Sequence, residues 1–147
     1  MPKSPAPASL FRKVSGIIES SRQKVYTAVN SGIVLMYWHI GEAIRTGVLG
    51  NEKAEYGKAV IEELGAALTV QYGKGFSARN LFNMLKLYET YPDKTILQTV
   101  SAKLSWSHFC KLIYLEEPIQ RDFYATMAIN ERWSVRVMNE RIEANHG

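Results

Sequence analysis

At 147 residues, with 46% hydrophobic and 22% charged side chains, the chain is long enough for one domain with its own core and too apolar to stay disordered. Its longest apolar stretch, residues 33–38 closed by His39, falls far short of the roughly 20 residues a membrane helix needs. The single cysteine, Cys110, excludes an internal disulfide and suits a reducing cytoplasm, and the net charge of +4 leans towards an anionic partner.

Strand-like alternation is nearly absent, and a 3.6-residue periodicity runs through most of the chain. Residues 1–8 are rich in Pro and Ala and lack the apolar run of a signal peptide, so they read as a flexible arm ahead of one helical domain, 9–147. Leu10, Val14, Ile17, Ile18 and Val25 mark a first long helix, about 9–29. Asn30, Ser31 and Gly32 then predict an interruption or bend before an almost wholly apolar helix over 33–44, a central core element. Residues 47–53 read as a loop and 54–71 as the next helix. Gly73 and Gly75 permit a sharp reversal, and Ser77 is a favoured N-cap for a helix that ends at Tyr91-Pro92, because proline disfavours helix in the residue before it. A short helix over 96–102 follows, then one over 105–116 capped by Ser105. Pro118 opens a helix to about 131, and Trp133-Ser134 starts the last, to about Ala144. The expected fold is all-α: a compact bundle of six to eight helices with one or two helix-turn-helix-like corners.

Charge is unevenly spread along these elements. Residues 1–24 carry five Lys/Arg against Glu19 alone, and residues 73–111 carry six against Glu89 and Asp93. The segments 25–72 and 112–147 are each net acidic. The positive excess is therefore localised to the N-terminal arm and to the segment that opens at the glycine turn, where a helix, a short turn and a second helix outline a DNA-reading corner. On the second helix Arg79, Asn83 and Lys86 lie at i, i+4 and i+7, with Ser77 and Asn80 near the leading end and Lys74 in the turn. Arg and Asn suit guanine and adenine edges, and Lys and Ser suit phosphates. The same residue types also make the solvated side that any amphipathic helix needs.

A second corner competes with the first. In ILQTVSAKLSWSHFCKLIYL, residues 96–115 hold a short helix, a turn at Lys103-Leu104 and a helix whose Trp106, Phe109 and Ile113 face the core. Ser107, His108 and Lys111 are then expected outward, as an alternative reading surface. The aromatic residues, Tyr114 included, fall mostly on apolar faces and read as core.

Catalytic and metal chemistry find little support in the spacing. His39, His108 and His146 are far apart, His108 and Cys110 at i, i+2 point to different sides of a helix, and no CxxC or HxxxH pair exists. Ser105, Ser107 and His108 lack an acidic orienter and the geometry of a triad. None of the ten lysines has Asp or Glu two residues before it, the pairing a PD-(D/E)XK metal nuclease requires. No catalytic residue, metal ligand or cofactor is assigned.

Five ordered motifs resemble a known family: YWHIGEAI at 37–44, YGKAVIEELGAAL at 56–68, GKGFSARNLFNMLKLYETYP at 73–92, LSWSHFCKLI at 104–113 and RWSVRVMNERI at 132–142. Together they are similar to the N-terminal domain of YhcG-like proteins, bacterial proteins in which a helical domain precedes a PD-(D/E)XK nuclease domain. The resemblance spans roughly residues 10–144. It implies a non-catalytic helical module that binds DNA, duplex by expectation, and delivers it to a nuclease domain in cis or in trans. The chain reads as ending where that nuclease would begin, as a fragment or a stand-alone domain. By position the resemblance carries over Phe76, Ser77, Asn80 and Leu81, then Trp106, Ser107 and His108, then Trp133, Ser134 and Arg136. The rival expectation is a protein-interaction or homo-oligomerisation module built on the N-terminal helices, with no nucleic-acid contact.

Overall fold

The computed structural model describes residues 8–47 and 54–146. Among them are seven α-helices and no strand: α1 (Ala8–Gly47), α2 (Ala54–Tyr72), α3 (Ala78–Thr90), α4 (Lys94–Ser101), α5 (Trp106–Leu112), α6 (Pro118–Asn130) and α7 (Val135–His146). A single 3-10 turn, Lys74–Phe76, joins α2 to α3. The all-α expectation holds. The arm expected over 1–8 lies outside the described residues except for Ala8, which opens α1, and so does the 47–53 loop beyond Gly47. Among the described residues no helix is long and apolar enough to cross a membrane.

The predicted break at residues 30–32 does not occur. The helix runs unbroken for 40 residues, and the polar pair acts between helices instead. Asn30 Nδ2 donates to the carbonyls of Ser101 (2.8 Å) and Leu104 (2.7 Å), and Ser31 Oγ donates to Ser101 (3.1 Å). A helix C-terminus leaves its last carbonyls without intrahelical partners. Here α1 supplies them for α4, so Asn and Ser, poor helix formers in isolation, are held helical by the bonds they make. Gly32 has open space where a Cβ would stand.

The remaining helix ends follow local rules. Asp93 caps α4 by accepting from Thr95 N (2.9 Å) and Ile96 N (3.4 Å), and starts it two residues ahead of expectation. Ser134 caps α7 at Val137 N (3.1 Å). The helix expected over 105–116 stops at Leu112, because Tyr114 N and Leu115 N turn back to Lys111 O and Leu112 O. That tighter turn buries Leu115 and leaves Glu117 extended ahead of Pro118, as a residue before proline prefers. At the end of α6, Arg132 takes φ 53° and Trp133 N bonds Ala128 O at 3.0 Å, a Schellman closure with arginine where glycine is usual.

Two clusters make the core. The larger gathers Val34, Leu87, Leu97, Phe109, Tyr124 and Met138 from six helices, and the smaller joins Ile44, Ile61, Leu81, Met84 and Leu85 across α1, α2 and α3. Tyr37 and Trp106 pack against both, their rings 4.7 Å apart in edge contact. Trp38, buried beside them, donates its indole N–H to Tyr91 O at the end of α3 (2.8 Å).

Two substitutions separate the clamp from the expected break. Asn30→Ala takes the side-chain donor from Leu104 O and leaves Ser101 O to Ser31 alone, and should cost about 1–3 kcal/mol in urea unfolding. Gly32→Ala should raise stability by about 0.5–1 kcal/mol, the ordinary helix-interior gain. A helix that did break at this point would lose stability on the second change.

Candidate nucleic-acid interface

The turn before α3 is built tightly. Gly73, at φ 98°, bonds Thr69 O through its N–H (2.9 Å), and Phe76 N closes on Gly73 O (3.2 Å). A Cβ on Gly65 would stand 2.5 Å from Ala78 N, so only glycine lets α2 lie directly against the first residue of α3. Ser77 caps α3 by accepting from Asn80 N (3.4 Å), and Asn80 Nδ2 returns to Gly75 O (3.2 Å). Both side chains are half-buried and shape the corner, while Lys74 in the turn and Arg79 on the first turn of the helix are exposed.

Further along α3 the expected outward face divides. Asn83 is buried, not outward: its Oδ1 accepts from the Tyr114 hydroxyl and its Nδ2 lies 4.0 Å from Cys110 Sγ. Facing α5, it ties the two helices together and offers no amide to a base. Lys86 is half-buried, its ammonium 5.3 Å over the Tyr114 ring in a cation–π contact.

The second corner divides in the same way. Ser107 and Lys111 are exposed. His108, expected outward, is turned in and both its ring nitrogens are engaged. Nδ1 accepts from Ser105 N–H (3.2 Å) while His108 N donates to Ser105 Oγ (3.3 Å), a capping box with histidine in the usual Glu/Gln position. This network puts the ring proton on Nε2, which donates to Trp133 O (2.8 Å) and ties α5 to the α6–α7 turn.

The helices bring Arg79, Asn83 and Lys111 of the two competing corners into one lining, which Lys74, Ser77, Asn80, Lys86, Ser107 and His108 do not join. Arg79 and Asn83 of α3, Cys110 and Lys111 of α5, Tyr114, Leu115, and Asn139 and Ile142 of α7 line a basin of about 400 Å³. No carboxylate lines it. Among the described residues the ion pairs are Arg22–Glu19, His39–Glu42 and Arg136–Glu140, so Arg79, Lys86 and Lys111 are in none of them. Tyr114, read from sequence as core, is 57% exposed at the rim. Asn139, on the last helix, joins the lining without any signal in the sequence spacing. Tyr114 and Asn83 are 31 positions apart, and only tertiary contact reveals that they meet.

Cys110 faces the basin without being reactive. Burial pushes its thiol up to about 11, against the opposing pull of Lys111 and Arg79. The thiol therefore stays protonated at neutral pH. Alkylation of the native chain by iodoacetamide should remain slow at pH 9, where a free cysteine is largely ionised, and rise about tenfold per pH unit towards 11. Rapid labelling at pH 8 would contradict this burial.

Among the described residues no three His, Cys, Asp or Glu side chains group as metal ligands. A family model described as the DUF1016 N-terminal domain matches residues 13–146. The chain is 28% identical to the Escherichia coli (strain K12) protein named "Putative nuclease YhcG", over 86% of this chain and 42% of that protein. It thus spans less than half the length of that relative. No solved structure matches it.

Proposed function

The chain belongs to the DUF1016 N-terminal domain family, and from that membership we propose that it is a non-catalytic DNA-binding module that presents duplex DNA to a nuclease. The observation that carries this reading is that Arg79 of α3 and Lys111 of α5 line one basin whose lining holds no carboxylate, with Lys86 set over the ring of the exposed Tyr114 at its rim. Cations gathered around a basin whose lining holds no carboxylate attract a polyanion and release its condensed counterions. The name of the E. coli relative supports a nucleic acid as that polyanion.

In this reading Arg79, Lys86 and Lys111 neutralise phosphates, with Lys74 and Ser107 extending the contact along the two corners. Tyr114 presents a ring face beside them. Ser77 and Asn80 hold the corner in shape, and Asn83 and His108 leave the contact set because their polar groups are spent inside the fold. Cleavage is assigned to a nuclease domain in cis or in trans, since no lysine of this chain follows an Asp or Glu at the metal-nuclease spacing.

The test is fluorescence anisotropy of a labelled duplex over a salt series. Each phosphate neutralised contributes about 0.9 to the slope of log affinity against log salt. The variant Arg79→Ala/Lys86→Ala/Lys111→Ala should weaken binding at every salt concentration and lower that slope by about 2 to 3, with its unfolding midpoint little changed. An unaltered slope would remove the basin from the reading, and no binding at low salt would remove nucleic acid altogether.

A further inference from the structure

Among the described residues, little covers the first half of α1. From residue 8 to 29 every side chain is exposed except Ser15 and Thr27, which are half-buried. Yet this arm carries large apolar residues: Leu10, Phe11, Val14, Ile18, Val25 and Val29 are 45% to 69% exposed. At about 100° per residue these six fall within a sector of roughly 120°. Asn30, Val34, Trp38 and Gly41, through which the same helix packs on its domain, lie on roughly the opposite side. One side of α1 serves its own domain, and the arm's apolar stripe faces away from it.

We propose that this stripe pairs with the same stripe of a second copy, the two arms running antiparallel. The six side chains of the stripe, at about 100 Å² each, offer roughly 600 Å² per copy, and two copies together reach roughly 1,200 Å², the lower end of a stable interface. Phe11, Val14, Ile18, Ser21, Val25 and Ala28 alternate in steps of three and four, the repeat of a two-helix seam.

The residues of the seam select the direction. In an antiparallel pair one register sets Phe11 opposite Ala28, Val14 opposite Val25 and Ile18 opposite Ser21, so bulky side chains meet small ones and fill the seam. The same register puts Arg22 level with Ile17 and Lys24 level with Ser15. A parallel in-register pair would instead set Phe11 on Phe11 and Ala28 on Ala28, bulky on bulky and small on small, and fill the seam unevenly. Antiparallel arms also send the two domains to opposite ends, each on the outer side of its own α1. A 22-residue arm of this kind, about 33 Å long, gains from its partner the support that an isolated helix lacks. The basin on α3, α5 and α7 is not used, so the inference stands apart from the DNA-binding reading.

Sedimentation equilibrium of the full chain tests the pairing. A dimer mass is expected, with Ile18→Asp returning it to monomer while its far-ultraviolet circular dichroism still reports a folded helical domain. Direction is read from cysteines placed in a Cys110→Ser background. Val14→Cys and Val25→Cys, mixed and oxidised, should cross-link to each other, and Val14→Cys alone should not cross-link to itself. A wild-type chain that stays monomeric overturns the proposal and leaves the stripe to an unlike partner. A dimer indifferent to Ile18→Asp overturns it as well, and self-cross-linking of Val14→Cys would replace the antiparallel arrangement with a parallel one.

Discussion

Backbone-to-backbone contact at two glycines determines where α3 lies, and most of the molecule is arranged around that helix. A Cβ on Gly41 would stand 2.1 Å from Met84 O, and one on Gly65 would stand 2.5 Å from Ala78 N. Neither obstacle is a flexible side-chain end that could move aside. α1 therefore grips α3 at its middle and α2 grips it at its first residue. The smaller core cluster of Ile44, Ile61, Leu81, Met84 and Leu85 fills the angle between the three helices. With α3 held at both points its rotation is set, which is why Arg79 emerges into solvent while Asn83, one turn later, is directed at α5.

A second feature is the use of polar side chains as ties between helices rather than as a solvated coat. Asn30 and Ser31 close the end of α4, Asn83 meets Tyr114, and His108 joins the start of α5 to the α6–α7 turn. Each tie satisfies groups that burial would otherwise leave unpaired. Their removal from the surface also simplifies it. Of the polar groups on the two corners, what remains exposed around the basin is chiefly cationic, and that residue of charge is what gives the proposed interface its character.

Much of this organisation was legible in the sequence, and the reason is local physics. Ser77 and Ser105 cap where expected, Pro92 and Pro118 bound their helices, and periodicity located all the α-helices. What was not legible depended on partners far along the chain. Asn30 and Ser31 look like a helix break until Ser101 and Leu104, some seventy positions away, are seen to receive their hydrogen bonds. Asn83 and His108 occupy the polar faces of their helices by spacing, but Tyr114 and Trp133 turn them inward. Two corners that competed as rival surfaces prove to be two sides of one basin, because α3 and α5 pack side by side. Helical periodicity assigns a face to each helix and says nothing of which faces meet.

The central claim is that the surface shared by α3 and α5 is where this module meets nucleic acid. Backbone amide NMR during titration with a short DNA duplex tests it most directly, since each residue reports separately. The account predicts that progressive shifts concentrate in residues 74–86 and 107–114, with the arm at 8–29 and the exposed side of α6 little changed. Shifts confined to the arm, or spread evenly over the domain, would contradict it.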